Sequence, residues 1–352
     1  MNAIVYCEGA FATTYGKTAH GLVRFTERYT VRAVIDSTLP AGDAREFLDR
    51  KRNGIPLVAD LDEALARVPE YPQVPLRLVI GLALEGRVLP PGLHETALEA
   101  LKRGIGIDSG LHLYLGEFPD LAAAAADSGV EIRDIRRPAP VEELHFFSSR
   151  IEKVEAVKIA ILGTDSALGK RTTAWKIVHA LKAQGSKCEM IGTGQTAWLQ
   201  GARYSIILDS IVNDFVAGEI ENVICSAWEE EHPDYLIIEG QGSLMNPAFP
   251  GGFEILAAGR PDAIILQHAP GRPEYDGFPG YPIQPLNQQI QIIELLSGKK
   301  VVALAINHEN LPLEKVSQVC REIEEETGLP TVDPILQGAE RLVNTILALP
   351  RH

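Results

Sequence analysis

Cysteine is scarce in this chain of 352 residues, with four scattered at Cys7, Cys188, Cys225 and Cys320. Nothing in their spacing suggests a disulfide framework or a zinc ligand set, so they read as reduced, mostly buried thiols. Positive charge is short as well. Against 47 Asp and Glu stand 33 Lys and Arg, a formal net charge of -14, and no basic cluster offsets it. This argues against a nucleic-acid partner and suits a small-molecule enzyme. Apolar runs stay well below the ~20 residues needed to cross a bilayer. The first residues enter a strand pattern directly, without a basic segment and a long apolar one, so no membrane partner and a cytoplasmic location are expected. Also missing is a GxGxxG fingerprint: Glu8-Gly9-Ala10-Phe11 follows the first strand without it, although Asp36 stands where a dinucleotide fold places its ribose acid. NAD is not expected.

What is present is alternation. In the first part, short apolar runs at 3–7, 31–35, 56–58, 77–80, 105–107 and 131–135 predict strands, and helical spacing predicts helices at 43–52, 61–68 and 93–103. Asp60 with Glu63 has the form of a capping box, with Leu61, Ala64, Leu65 and Val68 as the buried stripe. Arg136-Arg137-Pro138-Ala139-Pro140 interrupts the pattern. It resumes with strands near 157–162, 186–191, 234–238, 263–267 and 301–307 and helices near 211–226, 286–296 and 313–327. Two α/β domains follow: a Rossmann-like domain over 1–150 and a parallel-sheet domain of P-loop NTPase type over 151–352.

The second domain is organised around 157–177. The run from Lys158 to Leu162 predicts a buried strand, Gly163-Thr164-Asp165-Ser166-Ala167-Leu168-Gly169-Lys170 a glycine-bounded loop, and Ala174, Ile177, Val178 and Leu181 one face of a helix. Such a loop turns backbone N–H groups toward one centre at a helix N-terminus, and its lysine reaches terminal phosphates. Two departures stand out. Five residues rather than four separate Gly163 from Gly169, and Arg171 follows Lys170 where Ser or Thr would hold Mg²⁺, leaving Thr172 or Thr173 one or two positions late. The Gly-Thr-Asp opening resembles the loop of dethiobiotin synthetase and its relatives.

Ligands in open parallel sheets sit outside the carboxyl ends of the strands, so stretches that follow strands are expected to converge on this loop. Gly192-Thr193-Gly194-Gln195-Thr196 offers hydrogen-bonding groups, and Asp209 and Asn213 have the spacing of one helix face. Glu239 ends an apolar strand before Gly240-Gln241-Gly242-Ser243, where a Walker-type acid would stand, and His268 ends the next strand. Gly16-Lys17-Thr18 ends like a phosphate loop, but six residues separate Gly16 from Gly9 and Gly21 interrupts any following helix, so a plain connecting loop is favoured.

Taken as an ordered set, residues 163–172, Thr193-Gly194-Gln195-Thr196, Asp214-Phe215-Val216-Ala217-Gly218 and Glu239-Gly240-Gln241-Gly242-Ser243-Leu244, with Gly16-Lys17-Thr18-Ala19 and Ser109-Gly110-Leu111-His112 in the first half, resemble a family of P-loop proteins associated with D-glutamate N-acetyltransferase activity. Two positions depart from it: Ala197 stands where the family pattern suggests glycine, and Asn246 where it suggests histidine. The resemblance implies transfer of an acetyl group from acetyl-CoA, as co-substrate, to the amine of D-glutamate or a related D-amino acid. Gly163, Thr164, Asp165, Ser166, Gly169, Lys170, Arg171 and Thr172 would anchor the coenzyme's phosphates. Glu239 or His268 would take the amine proton, and Lys170, backbone N–H groups or Gln195 would stabilise the thioester oxyanion. Lys17, His112 and Arg203 are the donors expected to hold the amino acid's carboxylates, in an interdomain cleft. An ATP-dependent ligase or kinase, with Asp165 and Glu239 on Mg²⁺, and a non-catalytic nucleotide-binding module are the alternatives. Self-association into a homo-oligomer stays open.

Overall fold

The computed structural model describes residues 1–84 and 86–350. They form two compact units: Met1–Ala139 together with Gln195–Gly201, and Pro140–Gly194 together with the chain from Ala202 onward. Each unit is an α/β layer structure built on its own seven-stranded sheet.

In the first unit the strands are β1 (Asn2–Tyr6), β2 (Thr30–Ile35), β3 (Gly42–Asp43), β4 (Pro56–Val58), β5 (Leu76–Ile80), β6 (Gly106–Ser109) and β7 (Ile132–Asp134). Their order is β3-β4-β2-β1-β5-β6-β7, parallel except for the antiparallel β3–β4 pair. Central β1 carries Ala3, Ile4, Val5 and Tyr6, all buried, which is the composition a strand covered on both faces requires. The helices are α1 (Lys17–Arg24), α2 (Ala44–Asp49), α3 (Leu61–Leu65), α4 (Leu93–Lys102) and α5 (Pro119–Asp127). Asp60 caps α3 through the Glu63 N–H, while the Glu63 carboxylate returns to the Ala59 N–H rather than to that of Asp60.

One expectation fails here. Residues 17–24 are a helix, not a connecting loop, despite Gly21. A helical glycine costs about 1 kcal/mol, and the buried face of Thr18, Ala19, Leu22 and Val23 offsets it.

The second unit holds β8 (Val157–Gly163), α6 (Lys170–Ala183), β9 (Cys188–Gly192), β10 (Tyr204–Ser205), α8 (Asn213–Glu231), β11 (Tyr235–Glu239), α9 (Phe253–Gly259), β12 (Ala263–His268), α10 (Leu286–Ser297), β13 (Val301–Ile306), α11 (Val316–Thr327), β14 (Thr331–Val332) and α12 (Glu340–Leu347). Its order is β10-β9-β11-β8-β12-β13-β14, and every pairing is parallel. The segment left out, α7 (Gln195–Gln200), belongs to the first unit. There Leu199 joins the apolar core, and the Gln200 amide donates to the Gly21 and Phe25 carbonyls at the end of α1.

Residues 140–150, placed with the first half by the sequence reading, go with the second unit. They run along α8: the Glu221 carboxylate accepts the Ser148 and Ile151 N–H groups, and Glu219 accepts that of His145. A Cβ on Gly218 would meet the His145 carbonyl at 1.9 Å, and Phe146 stacks on Phe215 at 4.6 Å. The Phe215-to-Gly218 motif is therefore explained by chain packing. Asp209 and Asn213 do not share a helix face either. Asp209 lies in a 3-10 turn (Leu208–Ser210), and α8 begins only at Asn213.

Candidate functional site

Geometry at the carboxyl end of β8 follows from its glycines. A Cβ on Gly163 would meet the Lys170 side chain at 3.0 Å, so glycine lets the lysine fold back over the loop. Gly169 caps α6 at φ 95, a conformation only glycine adopts without strain, and Ala167 is held at φ 52. Lys170, buried, donates its ammonium to the Asp165 and Gly242 carbonyls, each at 2.8 Å. The first N–H groups of α6 have no acceptor within the helix and carry its positive end.

Behind the loop the chain braces itself. Asp165 is fully buried, and both carboxylate oxygens have protein donors: the Ser166 N–H at 2.6 Å, and Asn246 Nδ2, Arg272 Nη1 and the Asp276 N–H, each at 2.8 Å. Arg272 also bonds the Ser166 carbonyl and reaches Glu309. Asn307 Nδ2 holds the Leu168 carbonyl at 3.0 Å, and the Thr173 hydroxyl donates to Gln267. Among the expected phosphate contacts, Asp165 is thus turned to the protein, where its carboxylate acts as a brace.

Two of the proposed acid–base groups join this cluster. Thr164 Oγ1 pairs with His268 Nδ1 at 2.9 Å, and burial pushes the His268 pKa down to about 4, so the ring is neutral at pH 7. Glu239, at the end of β11, is buried and accepts the Thr193 N–H at 3.0 Å. Desolvation pushes its carboxyl above the ordinary carboxylate range, opposed by the charge of Arg171, whose Nη1 lies 3.9 Å from Oε1. Gln241 Nε2 steadies Thr193 through its carbonyl at 2.9 Å and its hydroxyl at 3.1 Å.

The remaining predicted residues lie elsewhere. Gln195 belongs to the first unit, buried against Gly110, where a Cβ would meet its Cγ at 2.7 Å. Thr196 Oγ1 is 2.9 Å from Thr18 Oγ1. Three sequence motifs of the first unit therefore meet: Gly16-Lys17-Thr18, Ser109-Gly110-Leu111-His112 and Gln195-Thr196. Lys17 opens α1 and is exposed, and His112 is half-buried in the turn after β6. Arg203 does not approach the phosphate loop through any of its described contacts. Its exposed guanidinium pairs with Glu230 and Glu231 at the end of α8, because β10 places it beside that helix terminus.

Arg272, Gln267 and Asn307 were missed by sequence reasoning. Each stands at or just past a strand end, and that position was the one signal available. A cavity of about 840 Å³, lined in part by Lys158, Asp262, Leu256 and Arg260, lies by contrast at the amino ends of β8 and β12. Among the described residues no group of three or more His, Cys, Asp and Glu is arranged to hold a metal ion.

Comparison with known proteins agrees with this architecture. A family model described as a domain of unknown function, DUF1611_C P-loop domain, matches residues 145–343, and one described as DUF1611_N Rossmann-like domain matches 37–138. A D-glutamate N-acetyltransferase of Tritonibacter scottomollicae is 33% identical over 278 residues, covering 77% of this chain and 81% of that protein. Another D-glutamate N-acetyltransferase, from a Pseudoalteromonas species, is 29% identical over 75% of this chain and 79% of its own length. The crystal structure of a DUF1611 family protein from Anabaena variabilis superposes with a TM-score of 0.89 at 29% identity, covering 99% of both chains.

Proposed function

The chain belongs to the DUF1611 family, and on that footing we propose that it moves an acetyl group from acetyl-CoA to the amine of D-glutamate or a related D-amino acid. The observation that carries the reading is Glu239, a buried carboxylate of raised pKa one strand away from a phosphate loop. An ammonium group must lose its proton before it can attack a thioester, and a carboxylate whose proton affinity burial has raised takes that proton more readily than an exposed one. The free amine then bonds to the acetyl carbon, the C–S bond breaks, and coenzyme A leaves with the sulfur. Glu239 holds the proton given up by the ammonium, and the second proton that nitrogen loses on becoming an amide goes to the departing thiolate, so coenzyme A is released as the thiol. The positive end of α6 and the Lys170 charge favour the coenzyme's phosphates.

His268 is the weaker base. With a pKa near 4 its imidazole takes up little proton at neutral pH, and its bond to Thr164 suits it to positioning the loop. The two relatives named for D-glutamate support the choice of amino acid. The test is thiol release from acetyl-CoA by the purified protein with D-glutamate, L-glutamate and D-aspartate in parallel, followed by mass spectrometry of the product. An N-acetyl-D-amino acid formed with stoichiometric thiol supports the reading; no thiol release with any of the three would sink it.

A further inference from the structure

A phosphate loop that handles a magnesium nucleotide supplies a Ser or Thr after its lysine and a carboxylate at a neighbouring strand end, and the hydrated ion sits between them. In this chain the first position is Arg171 and the second Glu239. With Arg171 Nη1 at 3.9 Å from Glu239 Oε1, a fixed cation already faces the carboxylate. Two hydroxyls of the loop and its helix are already engaged. That of Thr173 is bonded to Gln267 at 2.5 Å, and that of Thr164 is paired with His268. Asp165, the other acid of the loop, is held on both oxygens by Asn246, Arg272 and the Asp276 N–H. The residues present do not fit a magnesium nucleotide.

We propose that Arg171 is the specificity-determining residue of this loop: a guanidinium built into the place of the metal ion, which makes phosphate binding independent of divalent cations and favours a metal-free phosphate ester over a magnesium nucleoside triphosphate. A dication brought beside Arg171 is repelled by it. A guanidinium, for its part, offers phosphate oxygens a planar pair of N–H donors without a metal's hydration shell to remove. The choice of a coenzyme A ester as that ligand rests on the acetyl-transfer reading; the metal independence does not.

Calorimetric titration of ATP and of CoA, each with Mg²⁺ and with EDTA, tests this on the wild type, Arg171→Ser, Arg171→Thr and Arg171→Lys, with circular dichroism to verify folding. Wild type and Arg171→Lys are expected to gain no more than about twofold in ATP affinity from Mg²⁺. At least one folded hydroxyl variant is expected to gain about tenfold or more. A tenfold gain by the wild type overturns the assignment, as does equal ATP affinity with and without Mg²⁺ in both hydroxyl variants. Failure of CoA to bind the wild type under either condition would instead remove the acetyl-transfer reading, and the ATP titrations would still decide the role of Arg171.

Discussion

Both units open with a strand that runs into a loop and then a helix, yet the two turns are chemically opposite. After β1, the Asp36 carboxylate accepts the Gly9 N–H at 3.1 Å and the Phe11 N–H at 2.9 Å, together with the Thr38 hydroxyl. The chain's own anion fills that turn. After β8, the loop's acid Asp165 takes one loop N–H, that of Ser166, and is otherwise drawn to donors from 246, 272 and 276, while the lysine and the positive end of α6 stay with the loop. Topology alone does not make an anion site. An internal carboxylate that takes a turn's N–H groups competes with any outside anion for them.

The sharpest test of the active side of this contrast is Glu239→Gln, for which turnover should fall roughly 100-fold or more with acetyl-CoA affinity unchanged. Wild-type turnover in the variant would remove Glu239 from the chemistry. Its raised pKa also sets two signs. The ionised base is the active form, so kcat/KM should fall as pH drops through a value above the ordinary carboxylate range. A carboxyl raised on folding favours the native state at low pH and disfavours it above its folded pKa. At pH 8, Glu239→Gln should therefore melt no lower than wild type, and a lower Tm would contradict the desolvation argument.

On the filled side, Asp36→Ala strands the buried Phe11 N–H and removes the acceptor of the Gly9 N–H, and should cost about 2 kcal/mol of stability in urea titrations, with the Kd for acetyl-CoA unaltered. A stability change near zero would mean that the turn does not need its internal anion. Lys170→Ala should weaken acetyl-CoA binding by about 2 kcal/mol, as expected of a charge-assisted contact; unchanged affinity by calorimetry would break the assignment of the second turn. The smallest effect belongs to a single cation outside either loop. Arg203→Ala, already paired with Glu230 and Glu231, should leave the KM for D-glutamate and the affinity for acetyl-CoA where they are. A KM effect at Arg203 in steady-state kinetics would overturn that expectation.

Much of the site was legible because it is local. The run from Lys158 to Leu162, the glycines at 163 and 169 and the stripe through Ala174, Ile177, Val178 and Leu181 follow one another in the chain, and all four stripe residues are buried as the spacing predicts. Glu239 and His268 end β11 and β12, as the strand pattern predicts. Asp209 and Asn213 misled because helical spacing presumes a helix, and a 3-10 turn intervenes. Gly21 misled in the other direction, since propensity is a weak prior against a well-buried face.

By itself, then, the amino-acid sequence determined the alternation of strands and helices, the phosphate loop with its displaced hydroxyl, and the acids and bases at strand ends, because each depends on neighbours within a few residues. Only the tertiary structure decided that Asp165 faces inward toward Arg272, that Arg171 stands against Glu239, that Asp36 closes the first unit's turn, and that 195–201 completes the first unit. Each of these joins groups separated by tens of residues or more. Local periodicity and propensity carry no information about such pairs; which donor meets which carboxylate is settled only when the sheets and helices pack.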